Sequence, residues 1–117
     1  ARNTGLKLNI AINYGGRAEI VRAARMLAQK AVSGEITPEN IDENAFAAAL
    51  YTHDLPDVDL LIRTSGEMRL SNFLLYQCAY AEMEFPTVLW PDFSLADYHA
   101  ALEAFAARDR RFGGRKQ

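Results

Sequence analysis

One cysteine, Cys78, stands in 117 residues, so neither an internal disulfide framework nor a structural zinc site built on paired cysteines is open to the chain. A reducing compartment, the cytoplasm, is the default expectation. No apolar run approaches the ~20 residues that span a bilayer. The opening residues ARNTGLKLNIAINY hold neither the apolar stretch of a signal peptide nor a starting Met, which leads us to expect a soluble chain and a piece of a longer one. Excess charge is missing as well. The 13 Lys and Arg against 15 Asp and Glu give a net charge of −2, and no aromatic-basic platform appears, so nucleic acid is not an expected partner.

What is present is a core. Half of the residues are hydrophobic and 24% are charged, with five Tyr, six Phe and one Trp, which suits a single domain over residues 1–117 and argues against disorder. The charge is unevenly spread. Residues 31–62 hold seven acids and no Lys or Arg, whereas residues 108–117 hold five basic residues against Asp109, a cationic arm suited to an anion.

Leu6, Leu8, Ile10 and Ile12 alternate with Lys7, Asn9, Ala11 and Asn13, the period of a strand with one inward face, and Gly15-Gly16 ends it. From Arg17 to Ser33, Ile20, Ala24, Leu27, Ala28 and Ala31 recur at helical spacing, closed by Ser33-Gly34. Thr37-Pro38 opens a further helical turn, and a short helix holds Phe46, Ala49 and Leu50. The run Asp59 to Arg63, with Leu60, Leu61 and Ile62 consecutive, predicts a strand covered on both faces. The stretch SNFLLYQCAYAEM then predicts a helix from Ser71 to Met83, capped by Ser71 or Asn72 and apolar nearly all round. A strand near Val88 to Trp90 and a helix with Leu95, Tyr98, Leu102, Phe105 and Ala106 inward, capped by Ser94-x-x-Asp97, complete an α/β pattern: a mostly parallel sheet flanked by helices.

Chemistry concentrates between Arg63 and Ser71. Ligands of open parallel sheets sit beyond the carboxyl ends of the strands, where helix N-termini present free N–H groups. Arg63 stands at that edge, and Arg69 and Ser71 arrive just ahead of the predicted helix, so two guanidiniums, a hydroxyl and helix amides converge on one phosphate or pyrophosphate. The competing reading pairs Arg63 and Arg69 with Asp59 or Glu67 and leaves Ser71 as a cap. Asp54, Asp57 and Asp59 are interrupted by Pro56 and read as loop acids, His53 as a loop residue, His99 as partly buried, and Cys78 as inert packing.

DLLIRTSGEMRLSNFLLYQCAYAEMEF and LWPDF, with LNIAINYGGRAEIVRAAR upstream and RDRRFGG downstream, resemble the C-terminal half of a cis-prenyltransferase of the undecaprenyl diphosphate synthase type. The resemblance covers essentially the whole chain. It implies that fold's C-terminal portion, a homodimer of α/β subunits, and condensation of isopentenyl diphosphate with an allylic diphosphate to a Z-polyprenyl diphosphate with Mg²⁺, giving a lipid carrier for cell-wall synthesis. Membrane association would come only through that lipid product. By motif, Arg63, Arg69, Leu70 and Ser71 would hold the isopentenyl pyrophosphate, Glu67 and Asn13 would support them, and Glu82 would be associated with the metal. Arg111-Phe112-Gly113 would reach a partner's substrate, placing Arg111 and Gly113 in substrate binding.

An HxxMDGN-like segment, which in the family holds the metal-binding Asp and the allylic diphosphate, is absent from these residues, so no catalytic residue is assigned here and the chain is expected to be inactive alone. The alternative is a non-catalytic dimerisation subunit of the same fold. On a helix, Glu82 would lie roughly 16 Å along the axis from Ser71. The expectation is therefore a dimer centred on Phe73 to Met83 that brings Glu82 from the neighbour, against an ion pair of Glu82 with an Arg of its own subunit.

Overall fold

The computed structural model describes residues 4–108. Helix α1, Gly16–Val32, and the short helix α2, Glu43–Ala47, lead to strand β1, Leu60–Ile62; strand β2, Glu82–Glu84, and helix α3, Leu95–Ala106, follow, with 3₁₀ turns at Pro38–Asn40 and Trp90–Asp92. β1 and β2 run parallel, Leu60 opposite Glu82, Leu61 opposite Met83 and Ile62 opposite Glu84, so the fold is α/β with a small parallel sheet and helices. Among the described residues no helix is long and apolar enough to cross a membrane.

The core forms where α1 meets α2. Ala23 and Leu27, four residues apart on α1, bury against Ala49 and Leu50, and Met26, Ala45, Phe46 and Tyr76 close over them. Phe46 and Tyr76 rings lie 5.0 Å apart. Helix ends follow the sequence: Asp42 accepts from the Ala45 N–H at 2.8 Å, and Ser94 and Asp97 form a reciprocal capping box on α3. α2 stops at Ala47, yet Ala49 and Leu50 still point inward from the turn that follows.

Five expectations are corrected. On α1 the buried stripe is Gly16, Glu19, Ala23 and Leu27; of the expected face only Leu27 is buried, Ile20 and Ala31 are half-buried, and Ala24 and Ala28 are exposed. Leu6, Leu8, Ile10 and Ile12 form no strand; each is at least 73% exposed. A strand exists only when a neighbour takes its N–H and C=O groups, and the two described strands pair with each other. Residues 71–80 form turns rather than a helix, because Ser71, Asn72 and Leu74 have φ of 48°, 65° and 43°, outside the helical region. Val88 to Trp90 is not a strand; Trp90–Asp92 winds as a 3₁₀ turn. On α3, Ala101 is buried and Leu102 and Phe105 are half-buried, but Leu95, Tyr98, His99 and Ala106 are exposed, since nothing among the described residues covers that end of the face.

Gly15 and Gly16 do more than end the first segment. A Cβ on Gly16 would lie 3.0 Å from Leu75 Cγ, 3.1 Å from the Asn72 carbonyl and 3.2 Å from the Leu75 nitrogen. Two of those atoms are backbone and move only with the chain. Gly16→Ala is therefore expected to destabilise the fold by about 1–3 kcal/mol, despite alanine's better helix propensity. Urea unfolding checks this; an unchanged midpoint would show that the approach relaxes freely.

Candidate anion-binding site

β1 ends at Ile62, and the next residues are stitched alongside the chain that leaves β2. The Arg63 N–H donates to the Glu84 carbonyl at 2.9 Å, Ser65 N–H to Val88 at 2.8 Å and Gly66 N–H to Pro86 at 3.0 Å. Ser65 and Gly66 both take positive φ, 68° and 65°, and glycine meets the second of these without steric cost. The loop thus sits just beyond the carboxyl edge of the sheet, where ligands of parallel sheets bind.

Arg63 and Leu70 come together there. With Leu61, Ile62, Thr64 and Phe73 they line a concavity of about 250 Å³. Arg69 forms an ion pair with Glu67, and both side chains are well exposed, at 65% and 38%. An exposed pair of this kind holds less than about 1 kcal/mol, so an incoming anion of higher charge can displace the carboxylate. Ser71, next in the chain to Leu70, is exposed. It starts no helix, so the helix amides expected of the site are not there. Asn13 lies apart, with φ of 54°, on a groove of about 500 Å³ between residues 9–14 and the Tyr51–Val58 and Phe73–Gln77 stretches. Phe73 walls both hollows.

Glu82 is the first residue of β2, not a helical one, and its carboxylate meets Arg108 Nη1 at 2.7 Å. Arg108 also pairs with Glu84 and donates to the Met83 carbonyl at 3.2 Å. Hydrogen bonding to Glu82 holds the guanidinium above its ordinary range. The helical spacing argument for a neighbour's Glu82 therefore falls, and the ion pair within one chain is what forms. Arg111 and Gly113 lie outside the described residues. Cys78 is buried, and burial pushes its thiol up, as suits packing rather than reactivity.

Sequence reasoning missed Glu19 and gave Asn72 the wrong helix to cap, the one expected from Ser71 rather than α1. Glu19, only 1% exposed, accepts from the Tyr14 hydroxyl, from the Tyr51 N–H at 2.7 Å and from Gln77 Nε2 at 3.1 Å, so one buried carboxylate ties α1 to three other stretches. Its signal was available: Gly16, Glu19, Ala23 and Leu27 share one inward stripe of α1, and a lone acid on such a stripe needs partners. Asn72 accepts from the Gly16 N–H through its carbonyl at 2.7 Å and from the Arg17 N–H through Oδ1 at 2.8 Å.

Arg63, Arg69 and Ser71 thus lie on one loop at the end of a strand in an α/β frame. The chain belongs to the prenyltransferase family described as "Putative undecaprenyl diphosphate synthase", whose profile matches residues 1–113. It is 57% identical over 114 residues to the (2E,6E)-farnesyl-diphosphate-specific ditrans,polycis-undecaprenyl-diphosphate synthase of Escherichia coli K12, covering 97% of this chain and 45% of that protein. The isoprenyl transferase of Zymomonas mobilis is 54% identical over 97% of this chain and 46% of its own length. The crystal structure of lavandulyl diphosphate synthase from Lavandula x intermedia, in complex with dimethylallyl diphosphate, superposes with a TM-score of 0.85 at 46% identity, over 87% of this chain and 44% of that one. The chain spans about half the length of the curated relatives it matches.

Proposed function

We propose that this chain is the C-terminal half of a cis-prenyltransferase and holds the pyrophosphate of isopentenyl diphosphate while the whole enzyme adds it to an allylic diphosphate in Z geometry. The observation that carries the reading is Arg63 at the carboxyl edge of β1, sharing a concavity with Leu70, with Arg69 and Ser71 on the same loop. Two guanidiniums match a pyrophosphate in charge and in hydrogen-bond geometry. Glu67 neutralises Arg69 until the substrate arrives. Arg111 and Gly113 would add contacts from the cationic tail, and Asn13 would act from outside the loop. A purely structural subunit has no need of Arg63, Arg69, Ser71 and Glu82 together.

Mg²⁺ belongs to this reading only as an ion completed from elsewhere. Among the described residues no three His, Cys, Asp or Glu side chains converge, and Glu82 is engaged by Arg108. Glu82 would serve as a single ligand once Arg108 releases it. The cytoplasm is the proposed location, and the proposed assembly is a homodimer; the helix expected to centre it at Phe73 to Met83 is not formed, and Leu89, Trp90, Leu95 and Tyr98 are each exposed.

Calorimetry with inorganic pyrophosphate tests the site. Arg69→Ala is expected to weaken binding by roughly 1.5–3 kcal/mol, the scale of a hydrogen bond to a charged group, or roughly 10- to 150-fold in Kd. Equal affinity in the wild type and the variant would remove Arg69 from the site.

A further inference from the structure

Helix α1 begins without a cap of its own. Its N-cap residue is Gly15, which has no side chain to accept from the first-turn amides. The acceptors come from 55 and 56 positions along the chain: Asn72 takes the Arg17 N–H on Oδ1 at 2.8 Å and the Gly16 N–H on its carbonyl at 2.7 Å. The fit is tight, since a Cβ on Gly15 would lie 2.9 Å from Asn72 Nδ2 and one on Gly16 3.1 Å from the Asn72 carbonyl.

Asn72 follows directly on Arg69, Leu70 and Ser71. Ser71 and Asn72 both occupy the left-handed region, at φ of 48° and 65°. Asparagine tolerates that region and serine does so less readily, so the conformation persists only while its surroundings hold it. The α1 amides supply that hold. Beyond Asn72, Phe73 donates its N–H to the Leu70 carbonyl at 3.1 Å and sets its ring edge-on to Tyr14, with centroids 5.7 Å apart, a second tie between the same stretches. Asn72 does not line the concavity of Arg63 and Leu70.

We propose that Asn72 is a positioning residue for the pyrophosphate site: by capping α1 across the chain it holds Ser71 in the left-handed conformation and so keeps Arg69 and Ser71 aimed at one anion. The proposal rests on the anion-site reading above. Asparagine suits the task because it combines tolerance of positive φ with a side-chain acceptor at capping distance. Aspartate retains both properties, whereas alanine lacks the acceptor.

The test compares wild type, Asn72→Ala, Asn72→Asp and Gly15→Ala by pyrophosphate calorimetry, with amide hydrogen exchange on each. Asn72→Ala is expected to weaken pyrophosphate at least tenfold, and Asn72→Asp to stay within about threefold of wild type. Gly15→Ala, which crowds Asn72 without touching a site residue, should weaken binding severalfold and covers the case in which Asn72→Ala fails to fold. Ser94→Ala, which removes the α3 cap, controls for stability alone and should lower Tm without changing affinity. Asn72→Ala or Gly15→Ala binding within twofold of wild type would overturn the proposal, as would Asn72→Asp failing alongside Asn72→Ala. If the wild type itself binds no pyrophosphate, the anion reading falls, and exchange decides the coupling: faster exchange at Gly16 and Arg17 together with Ser71 to Phe73 in Asn72→Ala supports it, and exchange unchanged at Ser71 to Phe73 refutes it.

Discussion

Glu19→Ala is expected to lower the stability of the folded chain by about 3–4 kcal/mol, a large share of the roughly 5–15 kcal/mol that holds a typical domain together. The carboxylate is almost wholly buried and takes three donors, the Tyr14 hydroxyl, the Tyr51 N–H and Gln77 Nε2. Truncation strands them at about 1–3 kcal/mol for each buried group. The sum stays near the low end because Tyr14 is only half-buried and Gln77 Nε2 keeps its bond to Thr52 Oγ1 at 3.0 Å. Glu19→Gln preserves the shape and one acceptor and should cost about half as much. Urea unfolding measures both; a loss under 1 kcal/mol for Glu19→Ala would mean that water replaces the carboxylate.

The same cluster sets a pH dependence. Burial first, then the hydrogen bond to Glu19, raises the Tyr14 phenol above its ordinary value of 10.0. Because the folded state keeps this proton more firmly than the unfolded chain does, the associated stability is complete below pH 10 and is lost as pH rises beyond it. Removing Glu19 should make that alkaline loss shallower.

Complete loss of turnover is the second large effect expected. Given Mg²⁺, isopentenyl diphosphate and an allylic diphosphate, this chain alone should yield no polyprenyl diphosphate, whereas a whole relative does. Ionising an allylic diphosphate requires a cation clamp on the leaving group. Glu82, the acid proposed to meet the metal, is held by Arg108, and the chain spans about half the length of the relatives it matches. A radiolabelled isopentenyl diphosphate assay reads the outcome, and reproducible product from the purified chain would refute it.

Periodicity identified what depends on local sequence. Helix α1, the β1 run and the Ser94-x-x-Asp97 cap stand where their patterns put them, but α1 turns Gly16, Glu19, Ala23 and Leu27 inward rather than the expected Ala24 and Ala28. Alternation in Leu6 to Ile12 describes a face in search of a neighbour, and no local pattern supplies the neighbour. The apolar run after Ser71 has helical composition, but Asn72 is drawn to the α1 amides and Gln77 to Glu19, contacts that span 55 and 58 residues and override propensity. At the site, the loop from Arg63 to Ser71 was legible because strand ends and basic residues coincide there. The Glu67 partner of Arg69 and an ion pair of Glu82 with an Arg of its own subunit were both legible as competing readings; which Arg takes Glu82 was not, because the pair joins β2 to the chain just past α3 across 26 residues.

The loop after β1 is proposed to bind the pyrophosphate of isopentenyl diphosphate. The most direct measurement is titration of the isotope-labelled chain with isopentenyl diphosphate, followed through backbone amide resonances. Saturable shifts concentrated at residues 63–73, reproduced by inorganic pyrophosphate and abolished in an Arg63→Ala, Arg69→Ala double variant, are the predicted result. Shifts confined to the groove lined by residues 9–14 and Tyr51 to Val58, or no shifts at millimolar ligand, would contradict it.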